Sequence, residues 1–398
     1  MTDRRLLFAT AFVRAVSVGM IGVLLGLHLA ARGLDPAALG IVVGAGLAGG
    51  AFASLLVTLG GDRLGRRRTL VVLALVSAAG AVVVALGTSR AILAAAAFLG
   101  MVNGMGRDRG AAMVVEQAVL PATTDDAGRT TSFAWYNVLQ DAGHAIGSLA
   151  AGLPVLLTAR FGVAAASALP ASVLAYAALV LATAALYLAL SPAVEHTASA
   201  RLAVSPATRG ILARISALFA LDALGGGFLT TALLSYFFAT RFGVDPATIG
   251  GLVFLARVAN ALSHFVAAWL AQRIGLVNTM VFTHIPSSLL LVTVAIAPTF
   301  AAAAVLFVLR EGLVEMDVPT RQSYVMAVVR PEERTVASGV TSLVRLGSWA
   351  IAPSFAGLFM QGGSYAGPLV VGAAMKIAYD LLLWRAFRGV RPPEEARA

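Results

Sequence analysis

The chain contains no cysteine, and only 12% of its 398 residues are charged. The first absence excludes disulfides, thiolate metal sites and cysteine nucleophiles. The second excludes an ordinary soluble domain, in which about a quarter of the residues are charged. What is present is apolar: 59% of the residues are hydrophobic and the mean hydropathy is +0.88, the composition of a polytopic membrane protein. Also missing are a P-loop, an H-E-x-x-H pair, a G-x-S-x-G elbow and any extramembrane stretch able to hold a catalytic or signalling module. These absences argue against an enzyme and against an ATP-driven pump, and no cofactor or metal is expected.

Residues 1–33 begin like a secretory leader, with Arg4 and Arg5 before an apolar run. The run continues to about residue 31, enough to cross ~30 Å of hydrocarbon, and no small-residue cleavage site ends it. Cutting at polar and Gly/Pro punctuation gives twelve apolar segments, at 6–31, 39–60, 69–87, 91–118, 131–158, 163–190, 210–238, 248–272, 279–298, 301–328, 335–360 and 366–387. An all-α polytopic membrane protein with twelve transmembrane helices is expected. With both termini inside, 16 loop and terminal arginines fall on the cytoplasmic side and 4 outside, which fixes the orientation in a cell (inner) membrane. The net charge of +10 therefore reports topology, and no nucleic-acid partner is implied.

Residues 191–209, polar and proline-flanked, divide the chain into halves at 1–190 and 210–398. The halves repeat. Leu34-Asp35-Pro36-Ala37-Ala38-Leu39-Gly40 returns as Val244-Asp245-Pro246-Ala247-Thr248-Ile249-Gly250, and Asp62-Arg63-Leu64-Gly65 returns as Gln272-Arg273-Ile274-Gly275. A second register matches Arg129-Thr130 with Arg334-Thr335 and Gly152-Leu153 with Gly357-Leu358. Two pseudo-symmetric six-helix bundles are the expected architecture, with a substrate site near mid-membrane as in secondary transporters.

The loop Gly61-Asp62-Arg63-Leu64-Gly65-Arg66-Arg67-Arg68 is similar to the G-x-x-x-D-R-x-G-R-R signature of the major facilitator superfamily, with Thr58 at the first glycine. Residues Gly143-His144-Ala145-Ile146-Gly147-Ser148-Leu149-Ala150-Ala151-Gly152 resemble the G-x-x-x-G-P-x-x-G-G motif of its proton-coupled antiporters, with serine for proline and Ala151 for glycine. The chain resembles that superfamily along its whole length, and specifically its twelve-helix drug or metabolite:proton antiporters. The resemblance implies the major facilitator fold, helices 1, 4, 7 and 10 around a central cavity, and helices 3, 6, 9 and 12 against lipid.

In the loop, Asp62, Arg63, Gly65 and Arg66 suit a latch made in one conformer and broken in the other, or a plain cytoplasmic anchor. Gly143, Gly147 and Gly152 either serve antiport or let helix backbones approach. Glu116 and Arg129 complete the expected gating set, together with Arg109.

Apart from Arg385, counted with the cytoplasmic arginines, seventeen charges lie inside the segments, and twelve of them are in segments 1, 4, 7 and 10. At ~2.5–3.5 kcal/mol or more for each isolated charge, they persist only if paired or facing water. Arg14, Arg107, Asn137, Asp222, Arg257, Glu315, Asp317, Arg321 and Arg345 are the cavity candidates. Asp108, Asp141, Asp222, Glu311 and Glu315 are the candidate proton carriers. Asp141 shares a face with Asn137, His144 and Ser148, and reads either as a titrating carboxyl or as a fixed partner of Arg14 or Arg345. Asp222 with Arg14 is another expected pair, Lys376 and Asp380 four residues apart another, and Asp317 with Arg321, flanking Pro319, is either a binding pair or self-neutralised.

Arg107, Asp108 and Arg109 sit in Asn103-Gly104-Met105-Gly106-Arg107-Asp108-Arg109-Gly110. On a continuous helix successive residues turn by ~100°, which places Arg107 on the cavity side with Asn103 and Arg109 in the gating network, or the reverse. The leading expectation is a monomeric secondary transporter in the lipid bilayer that exchanges protons for a small organic compound and exports it. Uptake or exchange of an anionic metabolite and a non-transporting sensor are the alternatives.

Overall fold

A computed structural model describes residues 2–123, 129–195, 205–317, 321, 324, 329 and 334–387, without the side chains of 60–63, 121, 122, 129–131, 134, 207, 268, 334–336 and 338. The first half contains α1 (Asp3–Ala31), α2 (Pro36–Leu64), α3 (Arg66–Leu86), α4 (Arg90–Gly100), α5 (Ala111–Val119), α6 (Arg129–Ala150), α7 (Leu153–Phe161) and α8 (Ala165–Leu188). The second contains α9 (Pro206–Gly227), α10 (Thr231–Phe242), α11 (Pro246–Ile274), α12 (Leu276–Ile296), α13 (Phe300–Val314), α14 (Arg334–Gln361) and α15 (Gly367–Phe387). No strand occurs among the described residues.

The sequence repeat has a local physical cause. Asp35 caps α2 by accepting the Ala38 N–H at 2.8 Å, with Pro36 at the first helical position. Asp245 caps α11 by accepting the Ala247 and Thr248 N–H groups at 2.8 and 3.1 Å, again followed by proline. A carboxylate satisfies orphan donors there, and proline has no N–H to lose. Gly65 and Gly275 join α2 to α3 and α11 to α12 with φ of 85° and 83°, a region open to glycine and costly for other residues. Four residues on, Thr69 and Thr279 return their hydroxyls to those glycine carbonyls at 2.9 and 2.8 Å.

Among the described residues, nine helices are long and apolar enough to cross a membrane, and α6 with α7 makes a tenth span bent by 42°. The expected segments 4 and 10 are not among them. Segment 4 is not the continuous helix of the sequence reading: it is broken into α4 and α5 by non-helical residues 101–110, so the 100° argument separating Arg107 from Arg109 does not apply. Segment 10 is interrupted where α13 ends at Val314: residues 315 and 316 form a turn, Asp317, Arg321 and Tyr324 are helical again, and Pro319 lies outside the described residues. Segment 7 also breaks, at residues 228–230 between α9 and α10.

The chain forms two compact units. Unit 1 comprises Met1–Ser199, Thr230–Phe254 and Pro353–Gln361; unit 2 comprises Ala200–Leu229, Leu255–Ala352 and Gly362–Ala398. In unit 1, α1 packs on α6 so tightly that a Cβ on Gly19 would overlap the His144 carbonyl and one on Gly147 the Val16 carbonyl. Unit 2 is built around Ile215, Phe219, Met280, Val281, Tyr379 and Leu383.

Candidate functional site

In unit 1 the functional groups gather at the break in segment 4. Unwound backbone inside a bilayer must find partners for its polar groups, and the chain supplies them one by one. Ser77 donates its hydroxyl to the Gly100 carbonyl at 2.7 Å. The Asn103 side chain accepts the Met105 N–H at 2.8 Å and donates to the Arg107 carbonyl at 2.6 Å. The Gly104 and Met105 carbonyls accept from the Ala232 N–H at 3.0 Å and the Thr231 hydroxyl at 2.7 Å, at the start of α10. Gly106 has φ of 69°, and its backbone lies where any Cβ on Gly22 of α1 would fall.

The break delivers Asp108 to Arg14 of α1, whose Nε donates to its carboxylate. The other face of the Arg14 guanidinium meets Glu116 of α5 at 2.7 Å. Glu116, 0% exposed, accepts four donors: Thr10 at 2.6 Å and Tyr187 at 2.7 Å on Oε1, Arg14 at 2.7 Å and Tyr136 at 2.6 Å on Oε2. The Arg14 donors also reach the Tyr187 and Tyr136 oxygens at 2.7 and 3.2 Å. The Asp108 N–H donates to His144 Nε2 at 2.8 Å, which makes that nitrogen an acceptor.

Unit 2 holds a second network, centred on Asp222 of α9. Its Oδ1 accepts from Lys376 of α15 at 2.8 Å. Its Oδ2 faces Arg321 at 3.2 Å and Arg345 of α14 at 3.4 Å. Arg321 also pairs with Asp317. Arg345 lies over Trp349 at 4.9 Å and near Phe219 at 5.9 Å, an aromatic seat for a guanidinium. His284 of α12 stands between Lys376 and Asp380, with Nε2 at 3.3 Å and Nδ1 at 3.0 Å. A smaller cluster joins Glu311 to Arg310 and, at 2.9 Å, to the Asn260 amide.

Interrupted helices carrying buried ion networks are the build of a solute carrier. The family model of the Major Facilitator Superfamily matches residues 7–353 and, again, 215–398. The chain belongs to the major facilitator superfamily. An uncharacterised membrane protein of Saccharomyces cerevisiae is 23% identical, over 98% of this chain and 94% of its own length. Among solved structures, the nucleoside transporter NupG aligns with a TM-score of 0.75 at 14% identity, covering 98% of this chain and 100% of its own. A bacterial homologue of the human lysosomal transporter Spinster aligns with a TM-score of 0.72 at 15% identity, covering 96% and 94%. A D-xylose–proton symporter aligns at 0.69 and 13%, covering 96% and 97%. At such identities these likenesses show the fold, which is the major facilitator fold of an integral membrane transporter.

The superfamily's loop signature is partly visible. The Asp62, Arg63 and Arg129 side chains lie outside the described residues. Gly65 makes the turn, and the N–H groups of Arg66 and Arg67 then donate to the Glu195 carboxylate at 2.5 and 3.2 Å. Their guanidinium groups reach carbonyls at the C-terminal ends of other helices, Arg66 to Ala118 at 3.3 Å and Arg67 to Leu188. Anion at a helix N-terminus and cation at a C-terminus are the favourable ends of the helix dipole. Gly143 and Gly147 of the antiporter-like motif are where α1 approaches α6, and Gly152, at the α6–α7 bend, lies against Ala247.

Of the predicted residues, the structure brings Arg14, Asp108 and Glu116 together in unit 1, and Asp222, Asp317, Arg321 and Arg345 together in unit 2. Arg14 and Asp222, expected as a pair, each have partners within their own unit. Arg107, Arg109, Arg257 and Glu315 are half-buried, while Asn137 and Asp141 are exposed on α6. Lys376 and Asp380 do not neutralise one another directly: His284 stands between them, and Lys376 reaches Asp222. Sequence reasoning missed Thr10, Tyr136, Tyr187 and His284. Tyr136 and Tyr187 are two of only 7 tyrosines, a scarcity that marks a hydroxyl inside an apolar helix as a hydrogen-bonding group.

Proposed function

We propose that the chain is a secondary active transporter that works as a monomer by alternating access and exports a small organic compound in exchange for protons. It sits in the cell (inner) membrane with both termini in the cytoplasm, an orientation supported by the 16-to-4 distribution of arginines. The observation that carries the reading is the coincidence of a helix break at residues 101–110 with the Arg14–Asp108–Glu116 network. A span that only held the bundle together would need neither the unwound backbone nor the buried charges, and both are features of binding sites in transporters. Asp108, Asp141 and Asp222 are the carboxylates on which proton exchange would act, and the glycine motif of α6 supports outward transport by its resemblance to antiporters.

A second reading, transport of an anionic metabolite, is favoured by Arg345. Its guanidinium is stacked on Trp349, lies 3.4 Å from its acid, and has a side chain 13% exposed, a poise that suits capture of a carboxylate or phosphate. The test is a substrate screen in an efflux-deficient strain, followed by flux in proteoliposomes under an imposed pH gradient. Gradient-driven flux weakened in Asp141→Asn supports proton-coupled export. No flux of any compound, with ligand binding intact, returns the chain to a sensor. Competition by simple organic anions, lost in Arg345→Lys, favours the second reading.

A further inference from the structure

The imidazole of His284 is 1% exposed, and its two neighbours suit one neutral tautomer. An ammonium group offers only donors, so Lys376 Nζ at 3.3 Å makes Nε2 an acceptor. The single ring proton is then on Nδ1, donated to the two Asp380 oxygens, each at 3.0 Å. The Lys376 ammonium donates onward to Asp222 Oδ1 at 2.8 Å. A continuous line runs from the Asp380 carboxylate through a neutral ring and an ammonium to the Asp222 carboxylate.

The groups around this ring are accounted for element by element. From α15 come Lys376, Asp380 and Tyr379, the last edge-on at 6.1 Å. From α9 comes Asp222, whose Oδ1 lies 3.9 Å from Nε2. From α13, also packed on α12, come Arg310 and Glu311, which pair with each other, and Glu315 at its C-terminal end. Beyond Asp222 stand Arg321, Asp317 and Arg345. The three acids Asp222, Asp317 and Asp380 thus balance Lys376, Arg321 and Arg345, provided that His284 is neutral.

We propose that His284 is a proton-binding site of unit 2, and that a proton taken at Nε2 displaces Lys376 and loosens Arg345 from Asp222. The inference rests on the proton-coupled reading above and adds to its carboxylates a proton acceptor in unit 2. In the step one N–H bond forms at Nε2, the Lys376 ammonium keeps its own protons, and the imidazolium is held by Asp380 and Asp222. The network gains one positive charge. Four cations then share Asp222 and its neighbours, and the one that gives way is Arg345, with the longest contact to Asp222 and the most exposed side chain of the three original cations. A proton bound at α12 is thereby converted into a freed guanidinium on α14.

The test uses the full chain in nanodiscs with ¹⁵N-labelled histidine, the probe being the proton itself, and His284→Gln to assign the signal. His284→Asn, which keeps a donor toward Asp380, replaces it if the glutamine variant does not fold. As protons are added, His284 is expected to pass from the Nδ1–H neutral form to the imidazolium. The emission of Trp349, isolated by replacing the other tryptophans, should shift with the same midpoint as Arg345 leaves it, and the shift should vanish in the histidine variants. A ring that is doubly protonated or neutral throughout overturns the proposal, as does a Trp349 shift that persists without His284. Flux that ignores a pH gradient while His284 titrates would sink the proton-coupled reading and leave the site; gradient-driven flux with a silent His284 does the reverse.

Discussion

Glu116→Gln isolates the largest electrostatic commitment in unit 1. The wild-type carboxylate takes two donors on each oxygen, Thr10 and Tyr187 on one, Arg14 and Tyr136 on the other. Glutamine keeps the volume but turns one oxygen into a donor, so whichever way the amide faces, two buried donors lose their acceptor. A hydrogen bond to a charged group contributes about 1.5–3 kcal/mol, and removing one partner of a buried ion pair costs about 3–5 kcal/mol. Arg14 retains Asp108, so the terms overlap, and a loss of about 3–5 kcal/mol is expected. At about 2–4 °C per kcal/mol for a unit of roughly 200 residues, the unfolding midpoint should fall by about 6–20 °C. The assay is thermal unfolding in detergent at one fixed scan rate, since such unfolding is often irreversible. Arg14→Gln and the double variant complete a cycle, and strong coupling should make the double variant less damaged than the two single losses added. A midpoint shift below about 2 °C, under 1 kcal/mol, with additive variants, would refute the reasoning.

Three other outcomes follow from the same physics. Asn103→Ala strips partners from the Met105 N–H and the Arg107 carbonyl and should cost about 1–3 kcal/mol, read as faster hydrogen exchange across residues 101–110 with little change in α8; equal exchange in both forms would show that the side chain is not what holds the break. Gly147→Leu should separate α1 from α6 and abolish folding or flux, while a leucine at Gly50, which has open space beside it, is tolerated, both read as monodisperse yield. Asp245 is held below the usual carboxylate range, first by the Thr248 hydroxyl and then by the backbone N–H groups that it caps. A depressed value gives stabilisation that is complete above the unfolded-state value and lost as pH falls through the folded one. Protection at the start of α11, measured relative to the intrinsic exchange rate at each pH, should therefore fall on acidification in the wild type but not in Asp245→Asn, which keeps the cap without the charge.

The sequence by itself determined whatever depends on local chemistry. Apolar length set the spans, because a bilayer has a thickness. The Asp-Pro and glycine pairs of the repeat set the starts of α2 and α11 and the turns after them, because caps and left-handed turns need only neighbours in the chain. It also marked Arg14, Asp108, Glu116, Asp222, Asp317, Arg321 and Arg345 as charges too costly to leave alone. Only the tertiary structure decided their partners. A charge inside a membrane is neutralised by whatever the fold brings within about 3 Å, and those groups lie on other helices: Glu116 draws on α1, α6 and α8, Asp222 on α14 and α15. Periodicity misled where it assumed continuity. Residues 103–110 look helical in an apolar run, yet they are unwound, because Asn103, Thr231, Ala232 and His144 offer the backbone partners that a helix would otherwise supply. Those partners come from distant points in the chain, which is why the break, and the site beside it, appeared only once the chain was folded.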